Sequence, residues 1–514
     1  MTQTGADALA RILSANGIDT CFANPGTTEM HLVAALSRDH SITSHLCLFE
    51  GVATGAADGF ARMARRPACT LLHLGPGLAN GLANLHNARK AATPVLNIVG
   101  EHALPHIAHD APLTADIAGL ARPVSKAVAT PKSTANIATL TTTMLEEIQT
   151  APMGVGTLIM PNDIAWGEVT PGNPVPVAVP APALPSPDAV AEAARALGEP
   201  GALFILGAPH ITARAVALAH GIAAATGARL LGEAAIARLS RGGDVPLLTR
   251  IPFQIDAALA ELKNTTHAVL AGARAPVAFF AYPGRPSALL PQAAQTHTLC
   301  PPESDLEAAL EALATAVGAD AAHAPAALPA LIDGAITPES LGPAIAHALP
   351  EHAIVADESV TNGAHLYPAC AGAPAHDWIN NRGGSIGYSM PLAVGCAAAC
   401  PDRPVLAVVG DGSASYTPQA LWTMARSKMN VTVVILSNRR YRILANEMSN
   451  IGAGEPDARS DPLLSLEDPA IGWVELAQGY GVPGQSVSDA AALSKAVAKA
   501  MAQPGPQLIE AVMV

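Results

Sequence analysis

Apolar residues in this chain recur with two rhythms. Short apolar runs read as strands, and longer stretches with apolar positions three and four apart read as helices. In the first third, Gly5–Asn16 is an amphipathic helix and Thr20–Ala23 a strand. The turn Asn24-Pro25-Gly26-Thr27-Thr28 leads into a helix. Ser44–Phe49 is a strand followed by a small-residue helix from Gly51. Ala68–Leu74 is a strand running into Gly75-Pro76-Gly77, and Pro94–Val99 is another. In the middle, Ala202–Leu206 and Ala268–Leu270 read as strands and Ala213–Thr226 as a helix. In the last third, Ala353–Val355, Val405–Val409 and Val431–Leu436 read as strands and Pro418–Arg426 as a helix. Alternation of this kind builds mainly parallel sheets, and their ligands gather beyond the carboxyl ends of the strands.

Two proline-rich stretches interrupt the alternation. One begins at Pro171 and ends near Pro187; the other runs from Ala319 to Pro338. Both read as extended linkers. They predict three α/β domains over 1–170, 188–320 and 338–514, each a doubly wound parallel sheet, and 514 residues suit that number at about 150 per domain.

Composition narrows the function. A net charge of -13 and 3% aromatic residues argue against a nucleic acid partner. Seven scattered cysteines form no C-x-x-C pair and read as buried, reduced thiols. The N-terminus lacks the basic start and apolar stretch of a signal peptide, and no run reaches the roughly 18 apolar residues of a membrane span. The expectation is a cytoplasmic protein with no membrane partner.

Val408-Val409-Gly410-Asp411-Gly412-Ser413 takes a buried strand into a glycine-flanked aspartate. A second strand ends at Ser437-Asn438-Arg439-Arg440-Tyr441, 27 residues after Asp411. A strand, crossover helix and parallel strand fill that gap, so Asp411 and Asn438 arrive at the same sheet edge. A carboxylate, an amide oxygen and a backbone carbonyl are hard ligands suited to magnesium, with diphosphate oxygens completing the shell. An isolated Gly-Asp-Gly is most often an ordinary turn; the pair at this spacing points to a site.

This pattern resembles the cofactor motif of the thiamine-diphosphate (ThDP) decarboxylase and acetolactate synthase superfamily, and the resemblance extends over essentially the whole chain. It implies pyrimidine-binding, central and diphosphate-binding domains. It makes Asp411 and Asn438 side-chain ligands of Mg2+ and Arg440 a backbone-carbonyl ligand, with Gly412, Ser413 and Tyr441 beside the cofactor. Ser359 and Thr361 fall where relatives contact the diphosphate. Gly383-Gly384-Ser385-Ile386-Gly387 resembles the loop that bends the cofactor, with Ile386 as wedge and the Gly384 carbonyl taking the 4′-amino group.

Leu48-Phe49-Glu50-Gly51 and the small residues after it are the second match. Alone, Glu50 reads as a carboxylate at a helix start, favoured by the dipole. The resemblance makes it the glutamate that hydrogen-bonds N1′ of the aminopyrimidine and activates the cofactor. Because Glu50 and Asp411 belong to different domains, which meet across subunits in relatives, the resemblance implies a homodimer or homotetramer. Asn24-Pro25-Gly26-Thr27-Thr28-Glu29 is similar to the benzoylformate decarboxylase turn that carries a substrate-contacting serine, which makes Thr27 a substrate residue. His73 matches a catalytic histidine of that enzyme. Its second active-site histidine has no counterpart, and the comparable region reads Phe279-Phe280-Ala281-Tyr282-Pro283-Gly284. Ile443 and Glu447 would line the pocket, and His102, His106 and His109 lie on a nearby loop. Gly51 replaces the glutamine of true acetolactate synthases and the middle piece lacks a dinucleotide fingerprint, so FAD is not expected.

The resulting expectation is decarboxylation of a 2-oxo acid followed by aldehyde release or carboligation. The alternatives are a non-decarboxylating C–C lyase acting on a 2-hydroxyacyl thioester or diketone, and a catalytically silent ThDP-binding regulatory paralogue.

Overall fold

The structure is a computed structural model and describes residues 3–170 and 172–514. Met1 and Pro171, where the first proline-rich stretch begins, lie outside the described residues. The rest of that stretch, 172–186, carries no helix or strand and is largely exposed.

Three parallel sheets organise the chain. The first has six strands in the order Thr43–Leu46, Thr20–Asn24, Ala68–Leu72, Val95–Glu101, Val155–Pro161 and Ala127–Ala129. The second has four, Arg229–Gly232, Ala202–Leu206, His267–Ala271 and Gln295–Cys300. The third has seven, Leu239–Arg241, His376–Asn380, Ile354–Glu358, Val405–Gly410, Val431–Ser437, Gln507–Val512 and Gly484–Val487. One edge departs from the all-parallel expectation. Leu239–Arg241 comes from the middle of the chain and pairs antiparallel with His376–Asn380 in the third sheet. The central strands of the third sheet are buried on both faces, which explains their unbroken apolar sequence.

Several element borders shift in ways that matter for the site. The strand read as Ser44–Phe49 stops at Leu46, and Glu50 is the first residue of a helix, Glu50–Ala64, capped by extended Phe49. The strand read to Leu74 ends at Leu72. Leu74 takes a φ of 53° and opens the helix Leu74–Lys90, so Gly75-Pro76-Gly77 form its first turn instead of a loop. Asp411–Ala414 is likewise a short helical turn, and the helix expected from Pro418 begins at Ala420.

The small-residue face after Glu50 is used within the chain. Helix Glu50–Ala64 crosses helix Ser389–Ala399 at backbone contact. A Cβ on Gly59 would stand 2.1 Å from the Leu392 carbonyl oxygen, and one on Gly395 1.8 Å from that of Ala56. Only glycine permits this approach. On the same helix Asp58 and Arg62 form a buried ion pair. Arg62 also donates to the carbonyls of Ala237 and Asn380, fastening the first sheet's layer to the third.

Candidate functional site

Two clusters of polar residues stand at the carboxyl ends of the first and third sheets. In the first cluster Glu50 is 7% exposed. Its Oε2 accepts from Asn80 Nδ2 at 2.9 Å. Its Oε1 faces Gly77, where a Cβ would come within 3.3 Å. Among the described residues Oε1 takes no hydrogen bond. Next to it, His73 is the cap residue of helix Leu74–Lys90, and its Nδ1 lies 2.7 Å from Oε2 of fully buried Glu29. Glu29 also accepts from the Gly26 amide at 2.7 Å and from the Thr28 hydroxyl at 2.5 Å. The Thr28 hydroxyl stands 3.3 Å from the same histidine nitrogen. Thr27 is exposed, with its hydroxyl outside this network, while Thr28 is buried in it. The sequence singled out Thr27 and His73 but passed over Glu29, since nothing in a single chain says which acidic residue of a turn is buried.

The second cluster is where strand order and motif converge. Strands Val405–Gly410 and Val431–Ser437 pair in parallel with Gly410 opposite Leu436, so Asp411 and Asn438 leave the sheet side by side. Asp411 is 4% exposed and accepts from the amides of Arg439 at 2.5 Å and Gly412 at 2.8 Å. Burial pushes its carboxyl above the ordinary aspartate value, against those amides. Asn438 Oδ1 accepts from the Arg440 amide at 3.0 Å. The Arg440 carbonyl accepts no backbone hydrogen bond among the described residues. Tyr441 lays its ring on Gly412, where a Cβ would collide with it at 2.4 Å. One carboxylate, one amide oxygen and one carbonyl fit a hard cation. No group of three His, Cys, Asp or Glu suited to a metal occurs among the described residues. His102, His106 and His109 meet edge-on and tilted, with ring centroids 5.2 and 5.8 Å apart, without forming one.

Ser359 is buried, and its amide and hydroxyl both turn back to Asp357; Thr361 follows in a 3-10 turn. Ser413 is buried beside Asp411. Ile443 and Glu447 are half-buried on helix Arg442–Asn450, where Glu447 accepts from the Tyr282 hydroxyl at 2.9 Å.

The loop 383–387 connects the two clusters. Asn84, on the Asn80 helix, donates to the Gly51 carbonyl at 2.8 Å and reaches that of Gly387 at 3.5 Å. Asn87 donates to the Ser385 carbonyl at 2.9 Å and accepts from its amide at 3.1 Å. His86 meets the Gly383 carbonyl at 3.0 Å, and Thr417 donates to that of Gly387 at 2.9 Å. Among the described residues the Gly384 carbonyl accepts nothing, and Gly384 is exposed with a φ of 81°. Behind the loop, fully buried Glu358 accepts from the amides of Gly387, Tyr388 and Ser389 at 2.6, 3.1 and 2.9 Å. Burial pushes its carboxyl up to about 7, against the pull of those amides. Asn80, Asn84 and Asn87 are a signal the sequence offered. Asparagine is a poor helix former, and three of them spaced one turn apart on one face suggest hydrogen-bonding work.

Comparisons with known proteins show the family of the chain. Residues 3–120 match the family described as thiamine pyrophosphate enzyme, N-terminal TPP binding domain, and residues 362–511 its C-terminal TPP binding domain. The chain is 45% identical to a Mycobacterium tuberculosis protein that carries a provisional name as an acetolactate synthase large subunit, over 99% of both chains. It is 28% identical to a benzoylformate decarboxylase of Pseudomonas aeruginosa, over 99% of this chain and 98% of the other. In fold it is similar to the Rhodococcus jostii thiamine diphosphate-dependent 4-hydroxybenzoylformate decarboxylase, with a TM-score of 0.85 at 22% identity over 99% of each chain.

Proposed function

We infer the reaction from one premise: the chain belongs to the thiamine pyrophosphate enzyme family. We propose that it decarboxylates a 2-oxo acid with ThDP and Mg2+, and releases the acyl unit as an aldehyde or passes it to a second carbonyl. The observation that carries this reading is the Gly384 carbonyl. It is the exposed acceptor in a loop whose neighbouring carbonyls at 383, 385 and 387 are all taken by side chains. The Ile386 carbonyl is also unpaired among the described residues, but Gly384 is the exposed residue of the loop, and its open carbonyl supports a partner with a donor such as an amino group.

On this reading Asp411, Asn438 and the Arg440 carbonyl would hold the magnesium. Gly412, Ser413, Tyr441, Ser359 and Thr361 would hold the diphosphate, and Ile386 would pack against the ring system. When bound, the cofactor supplies a thiazolium electron sink for the bond that breaks. The chain's own residues handle position and protons. Asn80 holds Oε2 of Glu50, which leaves Oε1 to share a proton with a ring nitrogen. Glu29 orients His73, whose ring delivers or takes a proton at the substrate, and Thr27 with Thr28 adds hydroxyls to that wall. Ile443 and Glu447 close the far side. Among the described residues no hydrogen bond links Glu50 or His73 to the Asp411–Asn438 edge. The resemblance to relatives whose two domains meet across subunits is what supports a site completed by a second copy, in a homodimer or homotetramer.

The test is carbon dioxide release from a panel of 2-oxo acids, singly and paired with aldehydes, in the presence of ThDP and Mg2+. Release with at least one donor supports the proposal. Cleavage of a 2-hydroxyacyl thioester or diketone with no carbon dioxide from any 2-oxo acid overturns it.

A further inference from the structure

The chain has seven phenylalanines. Phe22, Phe60 and Phe204 are buried and Phe49 is half-buried. The other three stand together in the open. Phe253, Phe279 and Phe280 are 48%, 50% and 53% exposed. Their ring centroids lie 5.0 Å apart for Phe253 and Phe279 and 4.9 Å for Phe279 and Phe280. Leaving three phenylalanine faces to water is unfavourable, and a cluster of this kind marks a place where something apolar binds.

The cluster is held in place. Phe279 and Phe280 ride on an arm closed by the antiparallel bridge Val277–Ala288 and by Ala278 donating to the Ser287 carbonyl at 2.8 Å. The tip of the arm is tied down by Tyr282, whose hydroxyl donates to Glu447. The Phe279 ring lies directly on Gly384, where a Cβ would stand 2.5 Å from its Cζ. The aromatic patch therefore packs on Gly384, and the arm that carries it reaches helix Arg442–Asn450 through Tyr282.

We propose that Phe253, Phe279 and Phe280 form the wall that receives the side chain of the 2-oxo acid, and that the enzyme selects donors whose side chain is apolar and larger than methyl. This rests on the decarboxylase reading of the same site. A methyl group covers little of three rings, whereas a branched or flat side chain buries most of their exposed faces, and burial of each added methylene is favourable. The ring edges and faces also suit a flat substituent.

The experiment uses the holoenzyme with ThDP and Mg2+ and measures kcat/KM for pyruvate, 2-oxobutyrate, 4-methyl-2-oxopentanoate and phenylglyoxylate. In parallel, calorimetry compares acetylphosphonate with benzoylphosphonate, analogues that lose no carbon dioxide. The expected result is a preference of about tenfold or more for the larger donors and the larger phosphonate. In F279A/F280A the ratio between large and small should fall by about tenfold, and F279L/F280L should retain most of it. A ratio unchanged in F279A/F280A, or a wild-type preference for pyruvate and acetylphosphonate, overturns the proposal. If no donor releases carbon dioxide, the decarboxylase reading fails while the phosphonate ratio still decides this one. If F279A/F280A dissociates in sedimentation with its ratio intact, the patch is a contact between copies and the proposal is overturned.

Discussion

Asn80 donates from Nδ2 to Oε2 of Glu50 at 2.9 Å, so one oxygen of the carboxylate is fixed from the neighbouring helix and the other is left to act. On the proposed function, this amide would orient the carboxylate so that Oε1 faces the cofactor.

Glu50→Gln should therefore slow deuterium exchange at C2 of bound ThDP by about 10²- to 10⁴-fold, the usual contribution of a positioned acid or base. Asn80→Ala should slow it by roughly tenfold, the equivalent of one hydrogen bond to a charged group. Proton NMR of acid-quenched samples measures both. Exchange at the wild-type rate in Glu50→Gln would refute the assignment.

Asp411→Asn removes the one anionic oxygen donor from the second cluster while conserving shape. Magnesium should then fail to raise the Tm of the ThDP-bound protein at concentrations that saturate the wild type, because stabilisation by a ligand follows its occupancy. Chelator should lower the wild-type holoprotein's Tm and leave Asp411→Asn unmoved. A magnesium-dependent shift of wild-type size in the variant would remove Asp411 from the metal site.

Glu358 predicts a pH dependence of stability. Its carboxyl lies at about 7 in the folded chain against an ordinary 4.5. Between those values the folded chain keeps a proton that the unfolded chain has released. Stability contributed by this group is thus complete below about pH 4.5 and falls as pH rises through 7, by about 3 kcal/mol across the window. Urea unfolding at pH 5 and pH 8 should show a smaller loss in Glu358→Gln than in the wild type. Equal losses would place the carboxyl near its ordinary value.

Much of this was legible in the sequence, for identifiable reasons. The parallel sheets followed from apolar runs such as Ala202–Leu206, which the structure reproduces residue for residue. Asp411 and Asn438 followed because a strand end fixes where the next residue goes. What escaped was set by tertiary contact. Leu239–Arg241 joins the third sheet across a domain's length of chain, and no local pattern encodes that pairing. Leu74 starts a helix in a left-handed conformation that Gly75-Pro76-Gly77 masked as a turn. The small residues after Glu50 announced close packing, but their partner, helix Ser389–Ala399, is more than 300 residues away in sequence. Glu29 and Glu358 are ordinary acidic residues until burial gives them His73 and the loop amides as partners.

The buried pair Asp58–Arg62 offers a stability test independent of the cofactor. Their side chains are 3% and 2% exposed, and Arg62 binds Asp58 at 2.6 Å as well as the carbonyls of Ala237 and Asn380. Arg62→Met strands a buried carboxylate and frees two buried carbonyls, so it should cost about 3–5 kcal/mol. Asp58→Asn leaves the guanidinium its two carbonyl acceptors and should cost less. In the double variant the stranded charge is gone, so its loss should be smaller than the sum of the two single losses, with a coupling of roughly 1–3 kcal/mol. Denaturant unfolding of the four proteins closes the cycle. Strict additivity would mean that Arg62 acts through the carbonyls of the third sheet's layer alone, and that the ion pair contributes nothing to joining the two sheets that carry the two halves of the site.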